Sequence, residues 1–255
     1  MSTRARWQIS VPPTSTRGPW PLLVELARLL PAGSWTLIGG LMVQLHALRA
    51  GIPHGRATDD VDALLHIETG ATTYREAARL LTGAGIEPEQ ALHRDAKQHR
   101  FRRGRDVIDV LVADHAAPSV FIARAVPQAV QAPGGTRALR NTVNAVLSVD
   151  GEAVSISLPD EFGALVLKAS AYVADRRDRD RHLEDLTTLL AAQTDTGDVI
   201  ERCNVASAET RRRVSVALHA LRSKPGLAQS PAVRLALARF ELDLLGEEDR
   251  ARERG

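Results

Sequence analysis

Apolar positions along this chain change their period several times, and each change marks an element. Leu22, Leu26, Leu29 and Leu30 recur at helical spacing from Pro21 until Pro31-Ala32-Gly33 stops them. Trp35-Thr36-Leu37-Ile38 then reads as a short strand ending in Gly39-Gly40. Leu41, Leu45 and Leu48 stripe a following helix that Gly51 and Pro53 terminate. After a polar loop from His54 to Thr58, residues 61–67 read as a strand, and Thr73 with Glu76 forms a capping-box pattern opening a helix to about Leu81. Residues 98–113 predict a hairpin: His99-Arg100-Phe101, a turn at Arg103-Gly104-Arg105, then Val107-Ile108-Asp109-Val110-Leu111-Val112. Asp150-Gly151, between residues 143–149 and 153–156, predicts a second.

Beyond Ser157-Leu158-Pro159-Asp160 the strand signals cease. Ser157 reads as an N-cap with Pro159 in the first turn, and four or five helices follow. The last begins at Ser230-Pro231, is striped by Val233, Leu237, Phe240 and Leu244, and ends at Gly246. The expected fold class is α/β (α+β). A small mixed-sheet core occupies residues 20–157, and an all-helical unit occupies 158–246. Residues 1–19 read as a flexible basic arm, with Arg4, Arg6 and Arg17, no acidic residue, and Pro12, Pro13 and Pro19. Residues 247–255 read as a charged tail.

Composition narrows the class without naming a function. Apolar residues make up 44% and charged residues 25% of 255, which excludes disordered and collagen-like chains. The 33 basic and 31 acidic groups leave a net charge of +2, so a polyanionic partner needs a local patch. The single Cys203 excludes an internal disulfide and any multi-cysteine zinc site. The eight histidines show no zinc spacing. No stretch reaches the ~18 apolar residues of a membrane span, and the first residues carry no apolar signal core, so a cytoplasmic location is expected. Lys97, Lys168 and Lys224 are the only lysines in a chain that otherwise writes arginine.

Three carboxylates carry the chemistry. Asp60 and Asp62 lie two apart at a strand entry, so both leave the same face and suit a shared divalent cation. A polar strand entry explains the pair equally well. Asp109 interrupts an apolar run, where a lone carboxylate costs several kcal/mol unless a cation or strong donors compensate. Either a buried arginine partner or a role as third metal ligand or base answers that cost. Gly39-Gly40 between strand and helix admits close approach of an anion to the helix N-terminus, as any tight turn would also require. Lys168 stands alone among Ala164, Leu165, Val166, Leu167 and Ala169, suited to phosphates or to snorkelling. The basic run from Lys97 to Arg105 reads as an RNA or triphosphate rim, with a solvated hairpin tip as the alternative. In Ala174-Asp175-Arg176-Arg177-Asp178-Arg179-Asp180-Arg181 the alternating signs read as a solvated helix end.

Gly39-Gly40, a helix, Arg56-x-Thr58-x-Asp60-x-Asp62 and a later strand Asp109 resemble the polymerase-β-type nucleotidyltransferase superfamily. More narrowly, with Lys168 and the segment Arg179-Asp180-Arg181-His182-Leu183-Glu184-Asp185-Leu186, they are similar to the AbiEii/AbiGii branch of abortive-infection and toxin–antitoxin nucleotidyltransferases. The resemblance covers about residues 35–190, and Gly39-Gly40 stands where many members have Gly-Ser. It implies Asp60, Asp62 and Asp109 as Mg²⁺ ligands, for one or two ions, with Asp109 as third ligand or base. Gly39, Gly40, Arg56, Thr58 and Lys168 would bind the nucleotide, and Asp185 (Asp180 less so) would be the acidic residue of the helical half. The implied reaction moves a nucleoside monophosphate from an NTP onto a hydroxyl. RNA (a tRNA 3′ end) is the implied acceptor, contacted through Arg100, Arg102, Arg103 and Arg105, with an antitoxin as partner. A small-molecule acceptor of aminoglycoside type, or a catalytically silent nucleotide- or RNA-binding module, are the alternatives.

Overall fold

The computed structural model describes residues 5–12, 19–53, 56–89, 97, 99–124 and 129–242. Most of the expected N-terminal arm, His54, His93, Leu244, Gly246 and the charged tail lie outside the described residues.

The first half runs β1 (Arg6–Ser10), α1 (Trp20–Leu29), β2 (Trp35–Ile38), α2 (Gly39–Ala50), β3 (Asp60–Leu65), α3 (Tyr74–Gly83), β4 (Glu87–Pro88), β5 (Arg100–Arg103), β6 (Asp106–Ala113), α4 (Pro118–Arg124), β7 (Val130–Ala132), α5 (Gly135–Arg140), β8 (Thr142–Val149) and β9 (Glu152–Pro159). Five helices follow: α6 (Glu161–Ala174), α7 (Asp180–Ala192), α8 (Thr196–Asn204), α9 (Ala208–Arg222) and α10 (Pro231–Phe240). The mixed α/β class with a helical second half is therefore correct.

The strands form two sheets. One has the order β2-β3-β6-β5-β4, with β3 and β6 parallel and the other pairs antiparallel. β7 joins β6 beyond the end of β5, pairing with Leu111 to Ala113. The second sheet is β1-β8-β9. Its hairpin turns at Asp150 (φ 50°) and Gly151 (φ 83°), the paired positive angles that a two-residue hairpin loop with right-handed strand twist requires.

Three expectations are corrected. Arg6–Ser10 is no loose arm: it forms β1, parallel to β8 with Ile9 buried. Ser157 caps no helix. It lies in β9, where its hydroxyl accepts from Thr36 Oγ1 at 2.8 Å, while Asp160 caps α6 by accepting from the Gly163 N–H at 2.8 Å. Pro159 accordingly closes β9 rather than opening α6. Residues 175–179 are not helical, and α7 begins at Asp180.

Two apolar cores meet at α6. Ala164 and Leu167 belong to the core beneath the sheets, whereas Phe162, Leu165, Val166 and Ala169 belong to the core shared by α7 to α10. α7 also packs on α2, the helix that begins at Gly39. No helix among the described residues is long and apolar enough to cross a membrane.

Candidate active site

Sheet register assembles the acidic group. Ile38 on β2 is opposite Asp62 on β3, Asp62 is opposite Asp109 on β6, and Asp109 is opposite Arg100 on β5. Residues directly opposite across a ladder share a face, and Asp60, two positions before Asp62, joins them. Carboxylate oxygens of Asp60, Asp62 and Asp109 all lie within 4.8 Å of one another.

The chain following Ile38 turns at once into α2, and that turn fixes the identity of Gly39. Its φ is +73°, and a Cβ there would lie 1.7 Å from Asp62 Oδ2. Only glycine accepts both demands. At Gly40 a Cβ would meet Thr58 Oγ1 at 2.7 Å. The N-terminus of α2 carries no side-chain cap, which leaves its first N–H groups without an acceptor there.

Neighbouring charges are distributed unevenly. Asp109 is only 7% exposed and accepts two hydrogen bonds from Arg100, Nε at 2.8 Å and Nη2 at 2.7 Å. That fork raises the Arg100 pKa, chiefly through the hydrogen bonds themselves. Asp60 accepts from Thr58 Oγ1 at 2.7 Å. Neither Asp60 nor Asp62 has an ion-pair partner among the described residues. Burial first, then the charges of Asp60 and Asp109, push the Asp62 pKa up to about 7. Lys168 and Arg181 offset that shift only in part, so this corner of the site favours a cation.

Across the cleft, α6 and α7 supply the other wall. Lys168, 6% exposed, lies 2.6 Å from Asp185 Oδ2, and Arg56 Nε donates to Asp185 Oδ1 at 3.2 Å. Burial alone would raise the Asp185 pKa, but Lys168 and Arg56 hold it below its ordinary value. His182 sits one turn earlier on α7, its Nε2 3.2 Å from Asp175 Oδ2 and its buried Nδ1 without a partner. Burial and then the Lys168 charge lower its pKa, against the opposing hydrogen bond to Asp175. Together these walls enclose a cleft of about 350 Å³.

The cleft thus gathers Gly39, Gly40, Arg56, Asp60, Asp62, Asp109, Lys168 and Asp185. Thr58 reaches it only through Asp60. Asp180 does not reach it, being paired with Lys224. The basic run reaches the cleft at Arg100, and most of its arginines are paired with carboxylates. Arg100 is turned inward to Asp109, Arg102 lies 3.5 Å from Glu89, and Arg103 lies 2.7 Å from Glu25 and 2.8 Å from Asp106. Of the four proposed rim arginines, only Arg105 is without an ion pair among the described residues. Arg100 as the partner of Asp109, together with His99, Arg181 and His182, was missed by sequence reasoning. The Arg100 pairing had a signal: counting back from a turn at Gly104-Arg105 sets Arg100 against Asp109. His182 had none, because its partner Asp175 sits in an irregular loop.

Among solved structures, the chain is similar to an antigenic nucleotidyltransferase-like protein from Paracoccidioides brasiliensis. The two are 17% identical, with 84% of this chain and 91% of that one covered and a TM-score of 0.48. Neither a protein-family model nor a curated protein matches the sequence.

Proposed function

We propose that this chain is a Mg²⁺-dependent nucleotidyltransferase that moves a nucleoside monophosphate from an NTP onto an acceptor hydroxyl. The observation that carries the reading is the convergence of three carboxylates on one sheet face, opposite a buried lysine, in one cleft. The donor set fits the metal. Carboxylate oxygens are hard ligands that suit Mg²⁺, and the crowding of Asp60, Asp62 and Asp109 that pushes the Asp62 pKa up to about 7 is what a divalent ion would relieve. When bound, such an ion supplies charge neutralisation at the phosphates.

The residues then take distinct tasks. Asp60 and Asp62 hold the cation, with Thr58 fixing the Asp60 rotamer. Asp109 borders the same site and is held in place by Arg100. Lys168 presents a point charge to the phosphates, and Asp185 with Arg56 sets the position of its ammonium. Gly39 and Gly40 bring the free N–H groups of α2 close to the triphosphate. The acceptor oxygen forms a bond to the α-phosphorus, the bond to the bridging oxygen breaks, pyrophosphate leaves, and the acceptor proton passes to a carboxylate or to water.

RNA, a tRNA 3′ end in particular, is the acceptor we favour, with a toxin role and an antitoxin partner. These finer statements rest on the resemblance of the motifs. A small-molecule acceptor is the second reading, favoured by the pairing of Arg100, Arg102 and Arg103 with carboxylates. The test incubates protein and Mg²⁺ with each α-³²P-labelled NTP, total RNA and a panel of small hydroxylated acceptors. Label on a tRNA-sized band, lost in Asp62→Ala, supports the first reading. Label on a small molecule supports the second, and no transfer with no NTP binding sinks both.

A further inference from the structure

Next to the cleft, on a neighbouring face of α6, lie two cavities of about 590 and 230 Å³. They share Asp114, His115, Ser170 and Arg213, and so form one groove. Pro133 lines both this groove and the cleft, and α6 forms a wall of each: Leu167, Lys168 and Ala171 face the cleft, Ser170, Val173 and Ala174 the groove. The carboxylate cleft and the groove thus adjoin at Pro133 and across α6.

The charge of this groove is unlike that of the cleft. Lys97, Arg137, Arg140 and Arg212 line it with no ion-pair partner among the described residues, whereas every arginine lining the cleft is paired with a carboxylate. Its two carboxylates, Asp114 and Glu209, both lie against Arg213, so they offset the four cations only in part. Asp114 accepts the backbone N–H groups of Gly134 at 2.7 Å and Thr136 at 3.1 Å, and Glu209 is committed to Arg213. One donor is also unused: the Ser170 hydroxyl is buried without a hydrogen-bond partner. It faces Gly134, where a Cβ would lie 2.8 Å from Oγ. Four cations without an ion pair, on α5, on α9 and at Lys97 outside any element, in a groove too large for one phosphate, form an anion site with several contact points. That is what a phosphodiester backbone requires.

We propose that this groove, and not the 100–105 hairpin, is the acceptor path: a nucleic-acid strand lies along Lys97, Arg137, Arg140 and Arg212, with its terminal hydroxyl at the carboxylates. The proposal rests on the nucleotidyl-transfer reading of the cleft. Recognition is by backbone charge, so it is independent of sequence.

The test measures binding of a short fluorescein-labelled oligouridylate by anisotropy across a salt series, alongside Mg²⁺-dependent NTP binding by equilibrium dialysis. Arg137→Ala/Arg140→Ala/Arg212→Ala should weaken oligonucleotide binding at least about tenfold and flatten the log–log salt slope by about 2, at ~0.7 per single-strand phosphate contact. NTP binding should be unchanged. Arg212→Glu, a single change at an exposed position, should weaken binding in the same direction if the triple variant folds poorly. Arg102→Ala/Arg105→Ala should leave affinity and slope intact. The proposal is overturned if wild-type protein binds no oligonucleotide, if the groove variants bind like wild type, or if the hairpin variant loses the affinity instead. Oligonucleotide binding at the groove without NTP binding would uphold the groove and remove the transfer reading.

Discussion

A carboxylate in an apolar strand has two physical remedies, an arginine or a metal ion, and Asp109 sits where both are at hand. Arg100 takes both carboxylate oxygens, while Asp60 and Asp62 crowd the same rung without a cation of their own. Removing Arg100 takes the guanidinium off Asp109 and leaves three carboxyl groups crowded together. Arg100→Ala should cost about 2 kcal/mol in metal-free protein, between the limits for exposed and buried pairs. Added Mg²⁺ should raise the variant's Tm more than the wild type's, and equal shifts in differential scanning fluorimetry would refute this. Asp62→Asn should do the opposite, because it relieves a carboxylate whose pKa burial and its neighbours push to about 7. Its metal-free Tm should rise by about 2–4 °C per kcal/mol of repulsion relieved, and its Mg²⁺-induced shift should vanish. His46 makes a separate prediction about pH. Burial lowers its pKa from 6.5 to about 4, against the opposing bond to the Pro159 carbonyl at 3.0 Å and the charge of Glu161, with Arg49 assisting. The unfolded chain therefore binds a proton that the native state refuses between those values. Stability is full above pH 6.5 and falls as pH drops towards 4, by roughly 3 kcal/mol. Urea titrations should show that slope in wild type and a flatter one in His46→Gln. The three aspartates were legible in the sequence because charge stands out against apolar neighbours. The Arg100 partner of Asp109 is legible from the hairpin register, whereas the partners of Arg102 and Arg103 are not, since Glu89 and Glu25 lie outside that hairpin.

At the level of elements, legibility follows how local the determining interaction is. The Thr73–Glu76 capping box forms as expected, since both halves lie within one turn. Strand β2 has its expected bounds, set by Gly33-Ser34 before it and Gly39 after it. The sequence of β1 reads as a loose arm because its sheet partner among the described residues, β8, begins more than a hundred residues later. The start of α6 was ambiguous for a local reason. Ser157 and Asp160 are both good caps, and only the sheet decides, by drawing Ser157 into β9 and leaving Asp160 free. The Asp160 carboxylate accepts the Gly163 N–H with Oδ1 and an Arg202 N–H at 2.7 Å with Oδ2. Asp160→Ala should therefore cost about 1–2 kcal/mol, a cap plus one partly exposed pair, and lower Tm by roughly 2–8 °C. An unchanged Tm would mean that packing alone holds the first turn of α6.

Over the whole molecule, the cleft is the seam between two cores, and one buried ion cluster crosses it. Arg56 comes from the sheet half, Lys168 from α6 and Asp185 from α7. The sequence order lysine-then-aspartate was visible, but their 2.6 Å contact depends on α6 and α7 packing side by side, which no local pattern encodes. Such a cluster is a poor source of net stability, because desolvation offsets most of the attraction, yet breaking it is costly. Lys168→Met should leave Asp185 buried beside Arg56 alone and lose about 3 kcal/mol, the low end for a broken buried pair since one cation remains. Asp185→Leu should lose a similar amount by stranding Lys168. The double variant should recover most of that loss while remaining inactive. A double-mutant cycle by chemical denaturation, run beside the transfer assay, separates the two roles: coupling near zero would mean the three charges do not act as a unit. Full stability without activity in the double variant would mean that this lysine is kept at the seam for what it does to phosphate and not for what it does to the fold.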